Sequence, residues 1–185
     1  NKGYRNKTNG SLELMIQNTA AFAFTEAMQK NKKILKDAGI NIVMLDTNLV
    51  NRVESFMATN LSSWQAGFAN NCENKKLPDM LIAMKNDTVI GHAGPYGVND
   101  SGLGHFSSLG IATTERGNGL GGALFYSMSA KLKELGAKTT SLTVETANVA
   151  LDLYVNAGYK GCYIVDYKMH KKIKLSTNFW YRYVG

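Results

Sequence analysis

Residues 116–122 read Arg-Gly-Asn-Gly-Leu-Gly-Gly, and here the sequence first offers chemistry. Gly117, Gly119, Gly121 and Gly122 let backbone N–H groups approach a ligand with no side chains in the way. The segment opens an amphipathic helix. The first amides of a helix lack helical partners and sit at the positive end of its dipole. Amides and dipole together make a cradle for phosphate. The competing reading is a flexible loop with chance glycines, and the strongly amphipathic helix that follows argues against it.

No Gly-Lys-Ser/Thr follows the glycines, so this is not a nucleoside-triphosphate loop. Gly117, Gly119 and Gly122 do spell G-x-G-x-x-G, and Glu145 falls near where a dinucleotide fold places its ribose-binding acid. Two features count against that fold. Residues 112–116 separate the first glycine from its strand, and only forty residues remain after Glu145, too few for the further strand–helix units. Other residues suited to chemistry lie nearby. Tyr154 carries a phenol of ordinary pKa ~10, able to hold a proton at neutral pH. Glu145 ends a strand, and His105, whose imidazole titrates near neutrality, begins another.

The elements that must position these residues follow from periodicity and punctuation. Residues 12–16 predict a strand and 20–38 a helix ended by Gly39. A strand follows at 40–45, then a helix capped by Asp46 or Thr47 with Leu49, Val50, Val53, Phe56 and Met57 on one face. Residues 60–78 read as mixed helix and loop. Strands at 80–84 and 89–93 flank a turn at Lys85-Asn86-Asp87. Residues 94–104 predict a long surface loop, and 105–111 a strand. In 119–135, Leu120, Leu124, Met128, Leu132 and Leu135 form the apolar stripe of a helix closed by Gly136. A strand at 139–145, a helix at 149–157 closed by Gly158, and a strand at 163–169 complete the order, with a further strand at 179–184. Alternating strands and helices of this kind make a mixed α/β layer protein.

Composition sets the bounds. The 185 residues allow one domain, or one and a fragment. With 44% hydrophobic and 19% charged residues the chain is globular rather than disordered. No apolar run approaches the ~20 residues of a membrane span. The polar start Asn1-Lys2-Gly3-Tyr4-Arg5 lacks a secretory apolar segment, so a cytoplasmic protein is expected. Cys72 and Cys162 form no C-x-x-C pair and read as reduced thiols. His92, His105 and His170 fall in no ligand spacing, so no metal is expected. The net charge of +7 favours anionic partners. Its densest groups, Lys30, Lys32, Lys33 and Lys36 and the tail Lys171, Lys172 and Lys174, read as a solvated helix face and a soluble tail. No nucleic-acid motif accompanies them, so neither nucleic acid nor membrane is expected as a partner.

Arg116, Gly119 and Gly121 match R-x-x-G-x-G. Further on, Asn148, Ala150, Leu153, Tyr154, Gly158 and Tyr159 match N-x-A-x-x-(L/I)-Y-x-x-x-G-(F/Y) in register. On these motifs residues 79–170 resemble the GCN5-related N-acetyltransferase (GNAT) family. Residues 40–78 follow it in element order alone, and Thr113 stands where the family commonly has proline. The resemblance implies an α/β fold with a mixed, mostly antiparallel central sheet flanked by helices, its strands splayed at the cofactor site. It implies acetyl-CoA as acetyl donor, with its pyrophosphate on Arg116, Gly117, Asn118, Gly119, Leu120, Gly121 and Gly122. Backbone groups of Leu109, Gly110 and Ile111 would meet the pantetheine and acetyl. Tyr154 would protonate the departing sulfur. Asn148 would contact the cofactor, cap a helix, or do both. Glu145 or His105 would serve as base, unless the amine needs none. His92 would bound the acceptor pocket, shaped by 94–104 and 46–78.

The activity so implied is transfer of acetyl to a primary amine of a small molecule or peptide. A polycationic acceptor would fit poorly with the net charge. The alternative is a non-catalytic acyl-CoA-binding module of a tandem protein. A homodimer is compatible with either.

Asn1-Lys2-Gly3-Tyr4-Arg5 echoes Asn156-Ala157-Gly158-Tyr159-Lys160, and each is followed by an apolar strand. Residues 1–39 are therefore expected to be an N-terminal extension, the tail of a preceding domain of the same kind plus a linking helix. Residues 40–185 are expected to form the acetyltransferase domain.

Overall fold

A computed structural model describes residues 11–19, 22, 26–73, 77–145 and 147–166. Its elements run β1 (Ser11–Asn18), α1 (Glu26–Asp37), β2 (Ile40–Met44), α2 (Val50–Asn60), α3 (Ser62–Glu73), β3 (Leu81–Lys85), β4 (Thr88–Ala93) and β5 (Tyr96–Val98). They continue with β6 (Leu103–Phe106), β7 (Leu109–Ile111), a 3-10 turn at Thr113–Glu115, α4 (Leu120–Glu134), β8 (Thr139–Glu145), α5 (Leu151–Asn156) and β9 (Lys160–Asp166). The last part of the expected strand at 163–169 and all of the one at 179–184 lie outside the described residues.

Two sheets result. One has the order β2-β3-β4-β7 and is antiparallel throughout; the other has the order β5-β6-β8-β1-β9 and is antiparallel except where β6 runs parallel to β8. In the β3–β4 hairpin, Asn86 and Asp87 both take positive φ, 47° and 65°. A two-residue hairpin turn requires that conformation, and Asn and Asp tolerate it.

α4 packs against both sheets, which is why it is apolar around more than one stripe. Leu120, Leu124, Phe125, Met128 and Leu132 are all buried, in one core with Leu81 and Ala83 of the first sheet and Leu142 and Val144 of the second. On the opposite face of the first sheet, Val53, Phe56 and Met57 of α2 and Phe68 of α3 pack on Met80, Ile82 and Val89. Helices therefore flank the sheet, giving a mixed, largely antiparallel α/β fold.

Four expectations need correction. Residues 94–104 are not a long loop: they contain β5 and the start of β6, closed by Asn99, whose Oδ1 accepts the Ser101 and Leu103 amides. Residues 105–111 are not one strand but two, broken at Ser107-Ser108. Leu135 caps α4 and is half-exposed rather than part of its stripe. Asp46 Oδ1 accepts the Asn48 and Leu49 amides, so it caps the turn that leads into α2 rather than the helix itself. Cys72 and Cys162 are both free, and Lys30, Lys32, Lys33 and Lys36 are exposed, as expected.

Candidate active site

The candidate site is built around the break at Ser107-Ser108. β6 leaves the break paired to β8 through Leu103–Thr139, Gly104–Thr140 and His105–Ser141. β7 continues paired to β4 through Ala93–Leu109, His92–Gly110 and Gly91–Ile111. β7 and β8 thus belong to different sheets, and a gap opens between them. The break is held in place. Ser108 Oγ donates to the Gly94 carbonyl at 2.6 Å, the Gly94 amide donates to the Ser108 carbonyl at 2.8 Å, and the Ser107 amide to the Pro95 carbonyl at 3.0 Å.

The ladder decides which backbone groups face the gap. Ser108 and Ala112 bond across to Gly94 and Ile90 of the β4 side. Alternate residues of an antiparallel strand bond to the same side. Gly110 is therefore turned to β4 as well, while the N–H and C=O of Leu109 and Ile111 are directed at the gap. Gly110 contributes space instead. A Cβ there would overlap Leu61 Cδ1 and lie 2.9 Å from His92 Cε1.

The glycine loop lies beside this edge. Gly117 and Gly119 adopt left-handed φ of 84° and 85°, and Gly119 is the N-cap of α4. Asn118 Oδ1 accepts the Leu120 amide at 3.1 Å, and the first helical bond runs from Ala123 to Gly119 at 3.0 Å. The helix therefore supplies no partner for the amides of Gly121 and Gly122. A Cβ on Gly121 would meet Ile111 Cδ1 at 3.0 Å, which places the loop against β7; one on Gly122 would meet Leu153 of α5 at 3.9 Å. Arg116 is exposed at the entrance. Glu115 just before it pairs with Lys85 at 3.0 Å and ties the 3-10 turn to β3.

Tyr154 is buried in an aromatic cluster, its ring centroid 5.1 Å from Phe125 and 6.2 Å from Phe106, the last residue of β6 before the break. Burial pushes its phenol up to about 12. Asn148 Oδ1 accepts the Ala150 amide at 2.9 Å, so its side chain shapes the turn into α5. Glu145 is exposed at the end of β8, and its carbonyl accepts the Asn148 amide at 2.9 Å. His105 is exposed on β6 on the near side of the break, and partial desolvation lowers its pKa. β7, the loop and α5 are thus brought together; Glu145 and His105 stand on separate parts of the second sheet.

Two contacts of the site had no signal in the sequence, the bond of Asn31 to Gly119 and that of His92 to Ser108. Asn31 of α1 donates from Nδ2 to the Gly119 carbonyl at 2.9 Å, across a large sequence separation. His92 is wholly buried on β4 beside Gly110, its ring edge-on to Phe56. Its Nε2 lies 2.7 Å from Ser108 Oγ. The Ser108 proton is committed to Gly94, so Nε2 carries the imidazole proton and donates. Nδ1 is then a bare acceptor, buried without a partner. Burial lowers the His92 pKa to about 4.

Among the described residues no group of three His, Cys, Asp or Glu could hold a metal, and no helix is long and apolar enough to cross a membrane.

Residues 47–171 match the sequence family described as acetyltransferase (GNAT) domain. No curated protein sequence matches significantly. Among solved structures, a GCN5-related glucosamine N-acetyltransferase region of a fungal multi-domain GH3 β-N-acetylglucosaminidase aligns with a TM-score of 0.71 at 17% identity, over 85% of this chain and 20% of that one. A GNAT-family acetyltransferase from Colwellia psychrerythraea gives 0.61 at 15% identity, over 83% of this chain and 53% of its own. A putative GNAT acetyltransferase from Novosphingobium aromaticivorans gives 0.60 at 17% identity, over 84% and 61%. This chain thus spans between a fifth and about three-fifths of these structures' length. At such identities the likeness is one of fold. Because the family match extends over most of the sequence, this chain belongs to the GNAT acetyltransferase family.

Proposed function

We propose that this protein transfers an acetyl group from acetyl-CoA to a primary amine by direct attack. The observation that carries the reading is the gap between β7 and β8, with the unpaired edge of Leu109 and Ile111 leading to the unpaired amides of Gly121 and Gly122. Those two amides and the α4 dipole suit a pyrophosphate. Arg116 stands where it can add a charge-assisted contact. The N–H groups of Leu109 and Ile111 suit the amides of an extended pantetheine arm, as an added strand would.

Acetyl transfer then asks little of side chains. An N–H on the β7 edge takes the negative charge that develops on the thioester oxygen as the amine attacks. The C–N bond forms, the C–S bond breaks, and the proton shed by nitrogen ends on sulfur. Tyr154 assists the departing thiolate. Held at about 12, its phenol is less acidic than a thiol of pKa ~8.5. Full proton transfer from Tyr154 to sulfur is therefore uphill, and its part is to donate a hydrogen bond while staying protonated. Glu145 is the base this reading favours, through its exposure at the end of β8 on the gap. The bare Nδ1 of His92 is too weakly basic to hold a proton at neutral pH.

The test is thiol release from acetyl-CoA against a panel of small amines and peptide N-termini. Turnover with at least one acceptor, reduced tenfold or more by Tyr154→Phe, is the expected result. Tight coenzyme A binding with no thiol release across the panel would instead favour a non-catalytic acyl-CoA-binding module.

A further inference from the structure

β1 lies between β8 and β9 and is antiparallel to both. It pairs with β8 from Leu12–Glu145 to Asn18–Thr139, and with β9 from Ser11–Asp166 to Ile16–Lys160. β8 and β9 are successive strands in the chain, yet the strand that separates them comes from the far end of the sequence. This slot matters to the site. β6 supports β8 only as far as Ser141. Beyond that point Leu142–Glu145 bond to β1 alone, opposite Met15, Leu14, Glu13 and Leu12. β1 therefore holds the Glu145 wall of the gap in place.

A second observation bears on where β1 comes from. Ahead of it Asn1, Gly3 and Tyr4 repeat Asn156, Gly158 and Tyr159, and Arg5 keeps the charge of Lys160, the first residue of β9. In this unit that pattern closes α5 and opens β9. Its copy ends at Arg5, six residues ahead of Ser11, so β1 follows a helix ending of this kind, as the last part of such a unit does. The relatives of known structure leave room for such a unit, since this chain covers only 49% to 61% of several that share its fold.

We propose that β1 is the closing strand of a preceding acetyltransferase-like unit in the same polypeptide, lent to this one, and that it joins the two units. A strand filling a sheet in this way satisfies both its edges at once and removes two exposed edges from its neighbours.

Two experiments test this, and neither depends on acetyl transfer. The coding sequence ahead of Asn1 should contain a second R-x-x-G-x-G loop followed by the pattern that ends at Asn1-Lys2-Gly3-Tyr4. A stop codon, a secretory leader or an unrelated domain there overturns the proposal. In the full polypeptide, a protease site placed within residues 20–25 separates β1 from the unit it fills. After cleavage the halves should co-elute one to one. Leu14→Pro should separate them, because a central strand cannot lose a ladder donor, while Leu14→Val should not. Halves that part with Leu14 intact, or that stay together in the proline variant, overturn it.

Discussion

Gly119 and Gly117 take nearly the same left-handed conformation, φ 85° and 84°, two residues apart in one loop, but their surroundings differ. A Cβ on Gly117 would meet nothing within 4 Å. One on Gly119 would lie 2.5 Å from Asn31 Oδ1, 2.6 Å from Nδ2 and 2.9 Å from Cγ. Gly117→Ala therefore isolates the backbone cost, about 1–2 kcal/mol for an alanine held at positive φ. Gly119→Ala adds the Asn31 contact. The Asn31 amide is the far end of a flexible side chain, so it will swing aside rather than strain the loop, and its bond to the Gly119 carbonyl is what is lost. At a partly exposed site that bond is worth about 0.5–1 kcal/mol. Gly119→Ala should thus cost roughly 1.5–3 kcal/mol, or a fall in Tm of about 3–12 °C for a chain of this size. Urea unfolding of both variants, each with and without Asn31→Ala, closes a double-mutant cycle. In the Asn31→Ala background the two glycine substitutions should cost the same within error. Calorimetric titration with coenzyme A should show Gly119→Ala weakening binding about tenfold, since the new methyl stands at the loop proposed to hold the pyrophosphate. Equal costs of the two substitutions with Asn31 present would refute the assigned role of Asn31.

Tyr154 stays neutral in the folded protein up to about pH 12, against about 10 unfolded, so its burial contributes stability that is complete below pH 10 and lost as pH rises through 12. Unfolding free energies at pH 9 and 11 should fall less in Tyr154→Phe than in the parent. His92 works in the opposite sense. Its pKa is lowered to about 4, so the stability linked to it is present above pH 6.5 and lost as pH falls toward 4. By pH 5 the loss should be about 2 kcal/mol, at 1.36 kcal/mol per pKa unit. Urea titrations at pH 7 and 5 should show His92→Leu with a flatter dependence. Gly110→Ala should destabilise by about 1–3 kcal/mol through overpacking against Leu61 and His92. Leu61→Ala should recover part of that loss in thermal unfolding.

What was readable in the sequence had a local cause. The four-residue spacing of Leu120, Leu124, Met128 and Leu132 marks α4 because a helix turns every 3.6 residues whatever it packs against. Asn86-Asp87 marks its hairpin because the turn itself demands positive φ. The glycine loop is readable for the same reason: its conformation is carried by its own residues. The gap is different. Residues 103–111 hold no Pro, Asn or Asp to mark a break, and nothing in them says that Phe106 belongs to one sheet and Leu109 to another. That division depends on partners far away in sequence, Thr139–Ser141 for one half and Gly91–Ala93 for the other. Two short segments are held apart by the Ser108 hydroxyl bonded to the Gly94 carbonyl and by the His92 imidazole bonded to Ser108.

This bears on how the site keeps its shape. A sheet left to itself would close the gap, because unpaired strand edges seek partners. Three constraints resist closure here. β7 is anchored to β4 through the Ser108 network, the Glu145 end of β8 is drawn toward β1, and the N-terminus of α4 stands against Ile111 through Gly121. Each comes from a different part of the chain, so no single segment encodes the opening. Removing one should narrow or widen the gap without unfolding the core, since Phe125, Met128 and Leu132 pack on both sheets irrespective of the gap. Ser108→Ala removes the bond to Gly94 and leaves His92 without an acceptor. It should therefore weaken coenzyme A binding more than its cost in stability accounts for, and a variant that lost both in proportion would show that the network serves folding alone.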